Sequence, residues 1–168
     1  MVIRRLCHSP FSHVDMMLED GSLLGASDSA NSPVIAGNPR GVAIRPPNYQ
    51  QFGIRRRMIL KTPKADAITA IWLSQLGKPF DHSALREFLS SSFPGERDWR
   101  NTGKWFCAEG LVWSEEQSGY WAPRPLLWPK TRVSPTDMLL LHLFDPNWIN
   151  SETFWQPVPG LQLDPGEI

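Results

Sequence analysis

The order of the secondary-structure signals constrains this chain most: strand patterns cut by turn residues run up to Lys61, and helical patterns take over from Thr62. Strands first and helices afterwards make an α+β fold, a small, largely antiparallel sheet packed against a few helices. Ser12 to Leu18 reads as a strand bounded by Pro10 and by Glu19-Asp20-Gly21. Asp20-Gly21 signals a tight hairpin turn, with Ser22 to Ala26 as the return strand. Asp28 to Arg40, rich in Ser, Asn, Pro and Gly, reads as an exposed loop; Gly41 to Arg45 resumes a strand stopped by Pro46-Pro47, and Ile54 to Lys61 supplies another.

Thr62-Pro63 is a cap and first-position pair for a helix in which Ile68, Ile71, Trp72 and Leu76 recur at helical spacing, with Gly77 as its terminator. Asp81 is suited to cap a second helix carrying Leu85, Phe88 and Leu89. A third is expected from near Cys107 to about Ser118, with Leu111 and Val112 packing inward, and Ser134-Pro135-Thr136-Asp137 caps a short apolar stretch from Met138 to Phe144.

With 168 residues, 41% of them hydrophobic, the chain suits one domain over 1–168 with its core at about 10–145. Seventeen basic residues balance seventeen acidic ones, so the broad positive field of a nucleic-acid binder is missing and no nucleic-acid partner is expected. The one basic run, Arg55-Arg56-Arg57, alternates across an edge strand. No apolar run approaches the roughly 20 residues of a membrane span. Met1-Val2-Ile3-Arg4-Arg5 lacks the apolar core and small-residue cleavage site of a signal peptide, so the expected place of synthesis and folding is a reducing cytoplasm. Two cysteines, Cys7 and Cys107, do not suggest a disulfide scaffold. Eight tryptophans and sixteen prolines become dense from Trp121 onward. The expectation there is an irregular, proline-fixed segment over about 121–168 that wraps the core, with Trp121, Trp128, Trp148 and Trp155 as packing anchors. A sugar-binding aromatic platform is the sharper alternative.

Chemistry enters with Trp105-Phe106-Cys107-Ala108-Glu109 and Ser12-His13-Val14-Asp15. A cysteine attacks as its thiolate, which the N–H groups and positive dipole end of a helix N-terminus favour. The same N–H groups suit the oxyanion formed when a thiolate adds to a carbonyl. His13, on a strand facing that helix end, is placed to take the thiol proton and return it to a leaving group. The bland reading is a small buried cysteine and a structural histidine.

Ser12-His13-Val14, the Asp20-Gly21 turn and Leu23-Leu24-Gly25-Ala26 resemble the histidine hairpin of the circularly permuted NlpC-type, YiiX-like papain-fold hydrolases. Gly77-Lys78-Pro79-Phe80-Asp81 is similar to that family's Gly-x-Pro-Tyr-Asp element, and Trp105 to Glu109 is similar to its aromatic-Cys-Ser-Glu-Leu helix start. The three elements stand in the family's order, with histidine before cysteine. The resemblance implies a permuted papain-like fold, Cys107 as nucleophile and His13 as general base. It also implies hydrolysis of an amide or ester, with cell-wall peptides first and lipid acyl groups, in related branches, second. The partners it implies are a peptide, a peptidoglycan fragment or a lipid-like acyl substrate. No cofactor is called for.

Gly25 stands where such families often carry the glutamate that orients the histidine, Ala108 and Gly110 replace a serine and a leucine, and Phe80 replaces a tyrosine. A different third group is therefore needed. If Asp20-Gly21 form a two-residue turn, Glu19 pairs with Ser22 and His13 with Asp28, so Asp28 is the first choice. A slip of one residue sets Ser27 or Gly25 on that face, and Asp15, two positions along from His13, is the second candidate. Both aspartates merely solvating a hairpin edge is the bland alternative. Glu109 reads as a first-turn structural carboxylate and Asp81 as a cap; His82 and His142 have no evident partner. Two rival classes remain. One is a non-enzymatic relative that uses the cleft for binding or in a phage structure. The other is a zinc site from Cys7, His8, His13 and Cys107, made awkward because adjacent Cys7 and His8 point to opposite sides of a strand.

Overall fold

Leu18 and Ser22 close the first hairpin: the Leu18 N–H donates to the Ser22 carbonyl at 2.8 Å and the Gly21 N–H donates to the Leu18 carbonyl at 2.9 Å, with Gly21 at φ 82°. In this computed structural model, which describes residues 11–50, 54–83, 103–122 and 133–155, that hairpin opens a four-stranded antiparallel sheet. Its strands are β1 (Met16–Met17), β2 (Leu23–Ser27), β3 (Ala36–Gly37) and β4 (Gly41–Arg45), in the order β1-β2-β4-β3. β5 (Ile54–Leu60) pairs with β6 (Trp148–Trp155) as a separate two-stranded antiparallel sheet. Among the described residues three helices accompany them: α1 (Ala65–Leu73), α2 (Cys107–Gln117) and α3 (Pro135–Leu143). The chain is thus α+β, as the order of its patterns requires.

The helix starts follow local chemistry. At α3 the Asp137 N–H donates to Ser134 Oγ at 3.1 Å while the Ser134 N–H donates to the Asp137 carboxylate at 2.8 Å, a reciprocal capping box. α1 begins two residues beyond the expected Thr62-Pro63 start, although Thr62 Oγ1 still accepts from the Lys64 N–H. α2 begins at Cys107 itself, and the Phe106 N–H donates to Glu109 in the first turn. Asp81 accepts from the Ser83 N–H at 2.8 Å and pairs with Lys104 at 3.0 Å. Leu85, Phe88 and Leu89 lie outside the described residues.

α2 packs against α1, α3 and β2. Gly110 permits the first of these contacts, because a Cβ there would meet the Trp72 ring at 2.2 Å. Trp72, Trp105, Phe106, Leu24 and Val42 are fully buried around the helix start. The segment after α1 ties that start to the sheet: the Val42 N–H donates to the Lys78 carbonyl, Phe80 donates to Arg40, and Trp105 and Asp81 bond across to Pro79 and Trp105 respectively. Phe80, packed edge-on against Phe106 and His82, fills apolar space that needs no hydroxyl.

Three sequence expectations are corrected. β1 is confined to Met16–Met17 rather than spanning Ser12 to Leu18. The presumed loop contains β3, whose Ala36 pairs with Ile44 of β4. The segment expected to be irregular contains an eight-residue strand, β6, which pairs with one side of β5, each strand of this two-stranded sheet keeping one open edge among the described residues. Trp121 and Trp148 do pack inward, both against His142. Trp128 lies outside the described residues. Among the described residues no helix is long and apolar enough to cross a membrane.

Candidate active site

The hairpin register decides whether Asp28 stands opposite His13. Met16 pairs with Leu24 and Met17 with Leu23, so the loop holds three residues, Glu19 to Gly21, and not two. The Asp20 side chain locks this loop by accepting from the Ser22 N–H at 2.9 Å and from the Ser22 hydroxyl at 2.5 Å. Relative to a two-residue turn every pairing slips by one, and the same register extended sets Asp15 opposite Gly25. The space beside Gly25 is filled accordingly: a Cβ there would lie 1.9 Å from Asp15 Oδ1.

His13 Nε2 bonds Asp15 Oδ1 at 2.8 Å, and the Tyr49 hydroxyl donates to the other oxygen, Oδ2, at 3.0 Å. The carboxylate is therefore clamped from two sides. The Cys107 side chain also acts on the imidazole, raising its pKa. Cys107, His13 and Asp15 are thus brought together at the start of α2. Asp28, the first choice from the sequence, lies elsewhere: it pairs with His82 at 3.4 Å on an exposed part of the surface. The one-residue slip takes Asp28 out of the position opposite His13, and the imidazole bonds the second candidate, Asp15, two positions along its own segment.

The charges reinforce the geometry. Burial alone would lower the His13 pKa, but the charges of Asp15 and Cys107 and the hydrogen bonds to both raise it well above the ordinary 6.5. For Asp15, burial pushes upward, yet the His13 charge and the hydrogen bonds from His13 and Tyr49 hold it below the ordinary 3.8. Burial and the neighbouring carboxylate push the Tyr49 phenol far up, so it remains a donor. Beneath them Arg45 is fully buried, its guanidinium donating to the carbonyls of Gly25 at 2.9 Å and Gly41 at 3.1 Å. Its guanidinium carbon lies 5.4 Å from the Tyr49 ring centroid, so the cation secures the ring that secures Asp15.

Tyr49 and Arg45 carry no local signal of these roles. Tyr49 follows the Pro46-Pro47 turn, its N–H donating to the Pro46 carbonyl. The buried Arg45 could be found only once the strand was known to bury both faces.

A cavity of about 340 Å³ reaches His13 and Asp15 and runs between β1, β5 and all three helices. Cys107 itself is only 2% exposed and lies just outside it, one helical turn before Leu111, which lines the wall. A second histidine and carboxylate stand on the same wall. His142 Nε2 lies 3.1 Å from Glu115 Oε1 and 3.3 Å from Oε2, bonds the latter, and stacks on Trp148 at 3.8 Å between centroids and on Trp121 at 5.7 Å. The two partners of His82 and His142 were invisible in the sequence because each lies on a different element.

Among the described residues no group of three or more His, Cys, Asp or Glu side chains is placed to hold a metal ion. Cys7 and His8 lie outside those residues. Compared with known proteins, the chain matches no family model, no curated protein and no solved structure.

Proposed function

We propose that this protein is a cysteine hydrolase that cleaves an amide or ester bond through an acyl-enzyme on Cys107. The observation that carries the proposal is the His13–Asp15 hydrogen bond with Cys107 beside the same imidazole at the start of α2. In the acylation step the Cys107 sulfur adds to the carbonyl carbon, the carbonyl electrons move to oxygen, and first-turn N–H groups of α2 suit the oxyanion. The C–N or C–O bond then breaks as the His13 imidazolium protonates the leaving group. In the second step His13 takes a proton from water, the oxygen attacks the thioester, and the thiol leaves. Asp15 holds the ring orientation through both steps and offsets its positive charge. The resemblance to permuted NlpC-type hydrolases supports the same roles for Cys107 and His13, with the orienting carboxylate supplied by Asp15 in place of a residue at Gly25.

The test is labelling by a thiol-directed activity probe, followed by a screen of cell-wall peptides against lipid and aminoacyl esters. Wild-type Cys107 is expected to label faster than a free thiol near neutral pH, and Cys107→Ala and His13→Ala to retain the fold while losing turnover. Labelling no faster than a free thiol would remove the main support.

One observation favours a second reading, a binding module that keeps the cleft without the chemistry: the near-complete burial of Cys107. Substrate-dependent acylation of Cys107, read by intact mass, separates the two.

A further inference from the structure

Arg45 is fully buried, yet among the described residues no carboxylate forms an ion pair with it. Backbone carbonyls alone accept from its guanidinium, those of Gly25 at 2.9 Å, Gly41 at 3.1 Å, Pro39 at 3.2 Å and Ala43 at 3.4 Å. Its Nε is buried without a hydrogen-bond partner. Taking a full charge and its donors out of water is costly, and carbonyl dipoles offset that cost less well than a carboxylate does. Tying β2 to the chain around β4 needs donors but no charge, so the charge itself calls for a reason.

Tyr49 and Gly25 touch both this cation and Asp15. The Tyr49 ring lies under the guanidinium, with 5.4 Å from centroid to carbon, and its hydroxyl donates to Asp15 Oδ2 at 3.0 Å. Gly25 gives its carbonyl to Arg45, and a Cβ on the same residue would fall 1.9 Å from Asp15 Oδ1. Burial disfavours both charges, and each supports the other against it. The other ionisable groups acting on this carboxylate are His13 from its own segment, Cys107 from α2 through the imidazole, Tyr49 and, from β5, the partly buried Arg55, which donates to the Pro47 carbonyl. With Arg45 and Asp15 in balance, His13 and Cys107 exchange a proton at no net charge. Without Arg45, the carboxylate would bias the site negative and hold protons on both sulfur and imidazole.

We propose that Arg45 is an electrostatic positioning residue: its buried charge, acting through Tyr49 and across Gly25, is the counter-ion of Asp15 and lets that carboxylate orient His13 without loading the site with negative charge. The consequence for turnover rests on the hydrolase reading, whereas the charge coupling rests on geometry alone.

Arg45→Lys and Arg45→Met separate the charge from the hydrogen bonds, because both lose most carbonyl contacts and only the first keeps a cation. The readouts are the NMR titration of His13 and the pH profile of Cys107 labelling by iodoacetamide. Losing a cation favours every protonated form, so Arg45→Met should move the His13 transition and the acid limb of labelling up by about one pH unit. Arg45→Lys should stay within about 0.3 unit of wild type. Salt at about 1 M should leave the Arg45→Met shift in place, while Arg55→Gln should give a smaller shift that salt removes. Equal profiles in the Lys and Met variants would reduce Arg45 to a structural bracket and overturn the proposal. Should both fail to fold, the wild type carries the test. Its Arg45 Nε–H resonance should shift through the His13 transition and lose that response in Asp15→Asn, and a resonance flat across the transition would overturn the proposal equally. A His13 transition raised in Arg45→Met, with wild-type Cys107 labelling no faster than a free thiol, would leave the counter-ion standing and refute the hydrolase. Fast labelling with a profile indifferent to Arg45 would do the reverse.

Discussion

Two histidine and carboxylate pairs stand on the wall of one cavity, and their neighbours set them apart. His13 meets Asp15 at 2.8 Å and is also acted on by the Cys107 side chain; its own side chain is 17% exposed. His142 meets Glu115 at 3.1 Å, is 3% exposed, and has an indole stacked near each side. The first pair stands beside the Cys107 thiol, whereas the second is enclosed by packing on two indoles. An imidazole beside a carboxylate is therefore no sign of catalysis until the second ring nitrogen has something to act on.

The largest difference between the pairs should come from deleting the imidazoles. His13→Ala is expected to lower turnover by roughly three orders of magnitude or more, as loss of a general base does, and also to lower the melting temperature, because Asp15 loses its imidazole partner. His142→Ala or Glu115→Ala leaves a buried partner unpaired and should cost about 3 kcal/mol of stability, read by denaturant unfolding, with Cys107 labelling retained below the transition. If His142→Ala abolished labelling in a protein still folded, the division between the two pairs would fail.

Next comes the orienting carboxylate. Asp15→Asn should reduce kcat by about 100-fold or more, while Asp28→Asn, altering an exposed pair with His82, should leave kcat unchanged. The reverse ranking would restore the two-residue turn. Gly25→Ala pushes a methyl to within 1.9 Å of Asp15 Oδ1, an oxygen already held by His13. Its expected effect is roughly tenfold on kcat, larger than its effect on stability. Tyr49→Phe, which removes one of the two groups clamping Asp15, should cost a few-fold.

The pH dependence sharpens the same contrast. His13 has a raised folded pKa, so its contribution to stability is present below its unfolded value near 6.5 and is lost as pH rises through the raised one. Asp15 has a lowered folded pKa, so its contribution is present above 3.8 and is lost as pH falls through the lowered one. Wild-type stability measured against pH should show both limbs, and Asp15→Asn should flatten both.

Much of this was legible along the chain. The hairpin, the Cys107 helix start and the Ser134 capping box are written in residues that act within four positions of one another, and all three form where expected. The register was not, because Asp20-Gly21 is compatible with a two-residue turn or a three-residue loop, and the Asp20 to Ser22 hydrogen bonds choose the latter. That choice takes Asp28 out of the position opposite His13, and Asp15, two positions along the same segment, bonds the ring. β6 was missed because Trp148–Trp155 alternates poorly and its partner, β5, is remote in the sequence. Tyr49 and Arg45 serve the site only through the folded sheet, so no spacing in the sequence marks them.

The central claim is that His13 is coupled at once to Asp15 and to Cys107, and NMR titration of the His13 imidazole tests it most directly, whatever the access to the buried sulfur. The prediction is a transition well above 6.5 in the wild type that falls in both Asp15→Asn and Cys107→Ala and is unmoved in Asp28→Asn. A transition near 6.5, indifferent to Asp15 and Cys107, would contradict it.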